Sequence, residues 1–248
     1  MYILNGRAVR KYLIYDMKII SKIILFSYKV FVYCGILQMD NKKIEALVSH
    51  KHKIVFLLNP KVASRSLIDY FLYEPSFTVV ESNIGNLEKI YGDYFWYCTF
   101  RHPVSRVKSC YKQKIATDDP VIAARIWSHY GGALHSGLSF EAFVSFLATS
   151  AGRDERSDRH WMSQVRVLGI NEDINVFSKF KKVFLFEELE MLPKYFATNH
   201  NMGNRKMKKI LATASGDVEI DGRSAALLKA RYASDFDTYN KIKLGEVL

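Results

Sequence analysis

The stretch Lys53–Leu67, K-I-V-F-L-L-N-P-K-V-A-S-R-S-L, decides how the chain is read. Its run Ile54 to Leu58 is unbroken, apolar and rich in β-branched and aromatic side chains, the pattern of a strand buried on both faces. Asn59-Pro60 ends the run, because Pro60 has no N–H and pushes Asn59 out of the α region. Apolar residues return at Leu67, Ile68, Phe71 and Leu72, which is helical spacing. Pro60 to Ser66 is therefore a strand-to-helix loop carrying Lys61, Ser64, Arg65 and Ser66. A helix N-terminus already favours an anion through its unpaired N–H groups and its dipole. The four side chains make it a cradle for phosphate or sulfate; the plainer reading is a βα turn with solvated charges.

A second unit repeats this physics. Tyr94 to Tyr111 reads Y-F-W-Y-C-T-F-R-H-P-V-S-R-V-K-S-C-Y. Its first seven residues have the aromatic and β-branched character of a buried strand. Arg101 stands at the strand's carboxyl end, Pro103 suits the first helical position, and Val104, Val107 and Tyr111 share a helical face. Ser105 and Ser109 lie four apart on that helix, so Arg101 and Ser109 converge on one anion.

The rest of the chain sets the frame. With 248 residues and 49% hydrophobic content it is long enough for one sizeable α/β domain. A net charge of +11 calls for an anionic partner. Cys34, Cys98 and Cys110 make neither a disulfide framework nor a metal spacing, and Cys98 and Cys110 read as packing residues. No repeat or low-complexity segment appears. Phe77 to Val80 is a candidate second strand, and Asn86 to Tyr91 a short helix or turn. Lys114 to Leu138 is polar and irregular, the kind of excursion that shapes an acceptor site. Ser139 is placed to cap a helix from Phe140 to Leu147. Lys182 to Phe186 is a further β-rich run. The loop Gly203 to Lys209 carries Arg205, Lys206, Lys208 and Lys209 and either closes over a nucleotide or is a solvated basic loop.

The chain divides into residues 1–40 and 41–248. Residues 1–38 hold six Lys/Arg and one Asp, hence +5 of the total charge. Ile19 to Leu37 is apolar but interrupted by Lys22 and Lys29, whereas a spanning helix wants about 20 residues with few or no charges. Three readings stay open: a basic helix in the membrane interface or a signal anchor, an upstream extension of a chain starting at Met39, or a core helix. The first makes the protein membrane-associated and otherwise cytoplasmic.

The first loop has no Gly, so it is not a Walker A motif. It resembles the 5′-phosphosulfate loop of sulfotransferases that use 3′-phosphoadenylyl sulfate (PAPS), especially the carbohydrate branch, which is sulfotransferase family 2-like. The second unit resembles the 3′-phosphate motif of the same enzymes, R-D/N/H-P-x-x-R-x-x-S-x-Y. Arg101, Pro103, Arg106, Ser109 and Tyr111 fall in register, with His102 where an acidic residue is common. Asp158, His160, Trp161 and Gln164 match a D-x-H-W-x-x-Q element. Glu187, Glu188 and Leu189 match an acidic element after a strand. Tyr232 to Tyr239 resembles the family's closing helix, with Tyr232, Phe236 and Tyr239 on its core stripe.

That resemblance runs from Lys53 to Tyr239. Strands alternating with helices imply a mostly parallel sheet with ligand at the strands' carboxyl ends. The family fold is a three-layer α/β/α, P-loop-kinase-like domain. The implied reaction moves a sulfonyl group from PAPS to a hydroxyl of a glycan or glycolipid, with no metal required. By resemblance Lys61 sits at the bridging oxygen, and Val62, Ala63, Ser64, Arg65 and Ser66 hold the 5′-phosphate. Arg101 and Ser109 hold the 3′-phosphate. His160 is the first candidate for the base and Glu188 the second. The alternatives are a P-loop-type nucleotide-dependent kinase, which the missing Gly-rich loop disfavours, and a non-enzymatic basic module binding glycan or membrane. Nucleic acid is not the expected partner.

Overall fold

The structure is a computed structural model that describes residues 43–170, 179–208 and 218–245. The N-terminal segment 1–40 and Lys209 of the basic loop lie outside the described residues. Five strands form one sheet in the order β3-β1-β2-β4-β5, with β1 at Lys43–Ser49, β2 at Ile54–Leu57, β3 at Phe77–Asn83, β4 at Phe95–Phe100 and β5 at Phe180–Leu185. The two units read from the sequence are β2 with helix α1, Ser64–Leu72, and β4 with helix α3, Pro103–Lys114. Pro103 takes the first turn of α3, where its missing N–H costs no hydrogen bond. β2 pairs parallel with β4, and β4 parallel with β5, so three carboxyl ends open on one edge.

The expected pattern needs two corrections. The strand at Ile54 is not the first: β1 precedes it, antiparallel to both β2 and β3. The sheet is therefore mixed, with four strands running one way and β1 against them. β1 escapes a pattern search because Glu45 and Ala46, poor strand formers, sit in its middle. Its neighbours supply the burial: Ile44, Ala46 and Val48 go to one face of the sheet and Leu47 to the other. The second correction concerns 114–138, which contains helix α4, Pro120–Tyr130, capped by Asp119, whose carboxylate accepts from the Val121 and Ile122 N–H groups.

Alternate residues of the central strands feed two clusters. Val55, Leu57, Trp96, Cys98 and Phe100 pack with helix α2, Ile84–Tyr91, through Leu87. Ile54, Phe56, Tyr97 and Phe184 pack on the opposite face with Phe71 of α1 and Phe196 of helix α7, Leu192–His200. This period-two division is what a strand covered on both faces requires. A third cluster lies away from the sheet. It joins α3, α4, helix α5 (Phe140–Leu147, capped by Ser139) and helix α8 (Gly222–Arg231) around Phe143, Trp161 and Tyr232. Two further elements complete the site's surroundings: the single turn α6, Gln164–Val167, and the closing helix α9, Ala233–Leu244. Among the described residues no helix is long and apolar enough to cross a membrane.

Candidate active site

The carboxyl ends of β2, β4 and β5 face a cleft of about 2340 Å³. Lys61, Arg65, Arg101, Ser109 and His160 all line it, from segments up to a hundred residues apart. Because β1 runs against the other strands, its first residue, Lys43, reaches the same edge and lines the cleft too.

The first loop is held in an uncommon backbone shape. Lys61 and Ala63 both have positive φ, 68° and 59°, a region that costs a residue with a Cβ about 1 kcal/mol or more. The Asn59 carbonyl fixes the turn by accepting from the Val62 N–H at 3.2 Å and from Ser64 Oγ at 2.8 Å. Val62 is thus fully buried with its N–H engaged, while Ala63, Ser64, Arg65 and Ser66 face the cleft. Ala63 is the N-cap of α1; no side chain caps this end and no acidic residue stands in its first turn. That arrangement leaves the dipole's positive end directed at the cleft.

Lys61 donates to Gln113 Oε1 on α3. Burial pulls its ammonium down to about 8 from the usual 10.5, and Lys114, Arg101 and Arg106 push the same way. Arg101 donates to the Lys61 carbonyl at 3.0 Å and lies over the Phe186 ring, 4.1 Å from its centroid. Its Nε is buried and has no hydrogen-bond partner among the described residues, while the side chain as a whole lines the cleft. Burial also lowers the Arg101 pKa. Two half-buried cations beside a helix N-terminus with no side-chain cap suit an anionic ligand.

Arg106 differs from Arg101. It is 1% exposed, and its guanidinium donates to the carbonyls of Pro60 (3.0 Å), Met162 (2.7 Å) and Arg159 (3.0 Å). It thereby ties the first loop to the two residues that flank His160-Trp161. His160 receives Asp158 in two ways: the Asp158 carboxylate accepts from the His160 backbone N–H at 2.9 Å and bonds to its ring Nδ1. Burial would raise the Asp158 pKa, but its bonds and charge interaction with His160 hold the carboxyl well below the usual range. An ionised carboxylate only accepts, so Nδ1 carries the proton and Nε2 is the ring's accepting nitrogen. Burial lowers the His160 pKa against the raising effect of Asp158, with Lys114 and Lys61 also lowering it. The side chain stays 26% exposed, so the ring remains reachable from the cleft.

Glu188 is placed elsewhere. Its Oε2 accepts from the Leu185 N–H at 3.4 Å and it does not line the cleft, whereas Glu187 does. Sequence reading passed over Gln113; it matched Asp158 to a motif without giving it a role and took Asn59 and Phe186 only as strand ends. The Asp158 signal was present two residues before His160. Nothing local marks Gln113, which meets Lys61 only through the fold. His102 packs edge-on against Phe236 and Tyr239 of α9, so the position taken by an acid elsewhere serves packing here.

A loop–helix pair after two parallel strands, each with its own half-buried cation, can grip a ligand bearing two anionic groups, and an imidazole whose pKa burial lowers stands on the same wall. No curated protein and no solved structure matches the chain. The model of the sulfotransferase family matches residues 45–240, a span that takes in most of β1 as well as both loops, and the chain belongs to that family.

Proposed function

We propose that the protein transfers a sulfonyl group from PAPS to a hydroxyl of a carbohydrate acceptor. The observation that carries this is the pair of basic loops, with Lys61, Arg65 and Arg101 lining one cleft at the strands' carboxyl ends. The three-layer, P-loop-kinase-like arrangement is the fold reading that goes with it, supported by two apolar clusters on opposite sheet faces.

PAPS, when bound, supplies the sulfonyl group and a phosphate leaving group. The chain's own residues supply position and charge. Arg65, Ser66 and the backbone around Ala63 and Ser64 hold the 5′-phosphate at the bare end of α1; the Val62 N–H supports the turn instead. Arg101 and Ser109 hold the 3′-phosphate. Lys61 places its ammonium where leaving-group charge develops, a role that matters most in the transition state. His160 accepts the acceptor hydroxyl's proton on Nε2, and Asp158 keeps the ring oriented and stabilises the imidazolium that results. Glu188, turned back on Leu185, is the weaker base candidate. The basic wall suits a glycan or glycolipid, and a basic apolar segment at 1–38 suits attachment to a membrane surface.

Thermal shift with 3′-phosphoadenosine 5′-phosphate (PAP) tests the donor. PAP should raise the melting temperature clearly, and adenosine 5′-phosphate or ATP·Mg²⁺ much less. Arg101→Lys and Arg101→Ala should lose most of that discrimination, since a charge-assisted bidentate contact is worth about 1.5–3 kcal/mol. Equal shifts from PAP and adenosine 5′-phosphate would remove the 3′-phosphate site, and a larger shift from ATP·Mg²⁺ would favour a kinase.

A further inference from the structure

Gln164 has no part in the chemistry above, yet it touches both anion loops. It opens α6 and is fully buried. Its Oε1 accepts from Asn59 Nδ2 at 3.0 Å and from the Arg101 N–H at 3.1 Å, and its Nε2 donates to the Arg101 carbonyl at 2.8 Å. Asn59 also donates to the Thr99 carbonyl at 3.1 Å, and its own carbonyl sets the turn of the first loop. Arg101 begins the second loop. One planar amide therefore meets the residues at which both loops leave the sheet.

The chemistry of that position is narrow. It needs an oxygen accepting twice and a donor on the same rigid group, which a carboxamide has and an ionised carboxylate lacks. A negative side chain would also add a second buried carboxylate, on the residue whose backbone N–H Asp235 of α9 already holds. The Asp235 carboxylate is 1% exposed and accepts from the Gln164 N–H at 2.8 Å, Ser163 Oγ at 2.7 Å and the Val165 N–H at 3.0 Å. Asp235 holds the start of α6 from behind, and Gln164 carries that anchorage forward to the loops.

We propose that Gln164 is a positioning residue that fixes the spacing of the two anion loops and ties it to the segment bearing His160. A ligand with two separated phosphate groups is then gripped at both ends at once. The identity of that ligand rests on the donor reading above; the coupling of the loops does not.

Two full-length variants test this: Gln164→Met, similar in length without polar atoms, and Gln164→Glu. Amide hydrogen exchange is followed at residues 59–63 and 100–102, and PAP affinity is measured by titration calorimetry. A fully buried Glu is raised to about pKa 8–9, so measurements at about pH 6 and about pH 9 bracket its ionisation. Each value is taken relative to the unsubstituted protein at the same pH. That ratio removes the titration of Lys61, which all variants share, while Asp235, Arg106 and Arg101 act on the introduced carboxyl and set where between the two pH values it ionises. Gln164→Met should speed exchange in both loops while β2 and β4 stay protected, and weaken PAP by about tenfold or more, the scale on which supporting groups act. In its protonated form the introduced carboxyl reproduces the donor and acceptors of the amide. Gln164→Glu should therefore track the unsubstituted protein at the lower pH and the Met variant at the higher. Exchange altered in one loop or in neither overturns the proposal, as does a Gln164→Glu ratio that does not move with pH. If Gln164→Met does not fold, the Glu variant decides alone. If the unsubstituted protein ignores PAP, the donor reading fails while loop exchange still judges Gln164.

Discussion

Lys61 and His160 share the cleft wall and titrate in opposite functional senses. The proposed base must be neutral, and burial lowers the His160 pKa below 6.5. The proposed leaving-group donor must be charged, and burial brings Lys61 to about 8. Hence kcat/KM should rise with pH as imidazole loses its proton, hold over a plateau, and fall as Lys61 deprotonates near 8. Lys61→Ala should cut turnover by roughly 10²–10³, the worth of one lost oxyanion donor, and remove the alkaline limb with PAP still bound. His160→Ala should lower turnover by roughly 10²–10⁴ and abolish the acidic limb. An unchanged acidic limb in a folded His160→Ala protein would return that ring to a structural role. Lys61, Arg101 and His160 are legible in the sequence because each sits in a short motif. Their partners are less so: Gln113 lies 52 residues from Lys61, and Gln164 lies 105 from Asn59. Such pairings exist only after the sheet has brought the segments together.

At the level of elements, the βα units were legible because burial on both faces leaves a continuous apolar run and Pro marks each loop. β1 was not, since its pattern mixes one exposed end with a Glu at its third residue. The helical cluster around Trp161 was missed for a related reason: its members come from five separate segments whose individual patterns are weak. Arg106 is what joins this cluster to the sheet's edge. Arg106→Met keeps the apolar stem but leaves the Pro60, Met162 and Arg159 carbonyls without their donor. Each buried unsatisfied group costs about 1–3 kcal/mol, so a loss on the order of 3 kcal/mol is expected in urea unfolding. Arg106→Lys should recover only part, because one ammonium lacks the flat fork that reaches three carbonyls. A Met variant within about 0.5 kcal/mol of the parent, the range of ordinary surface changes, would show that the clamp carries no stability.

Over the whole molecule, charge and chain direction combine. Residues 1–38 carry +5 of the +11, and the first described strand runs opposite to its neighbours, so the chain enters the sheet beside the cleft. The membrane reading proposed for residues 1–38 rests on that charge, since each Lys or Arg close to an anionic lipid surface contributes about 1 kcal/mol. The full chain should therefore pellet with vesicles containing anionic lipid, and a version beginning at Met39 should stay in the supernatant. The shorter version should melt like the full chain, because it keeps Lys43–Ser49 and all of its pairing. A version beginning at Lys53 is the informative control. It deletes β1, strips β2 and β3 of their shared partner, and should not fold cooperatively. Raising the salt should release the full chain, since screening acts on its Lys and Arg contacts. Equal pelleting of the full chain and the Met39 version would move the lipid contact from the tail to the cleft's own basic wall. No pelleting of either would end the membrane reading.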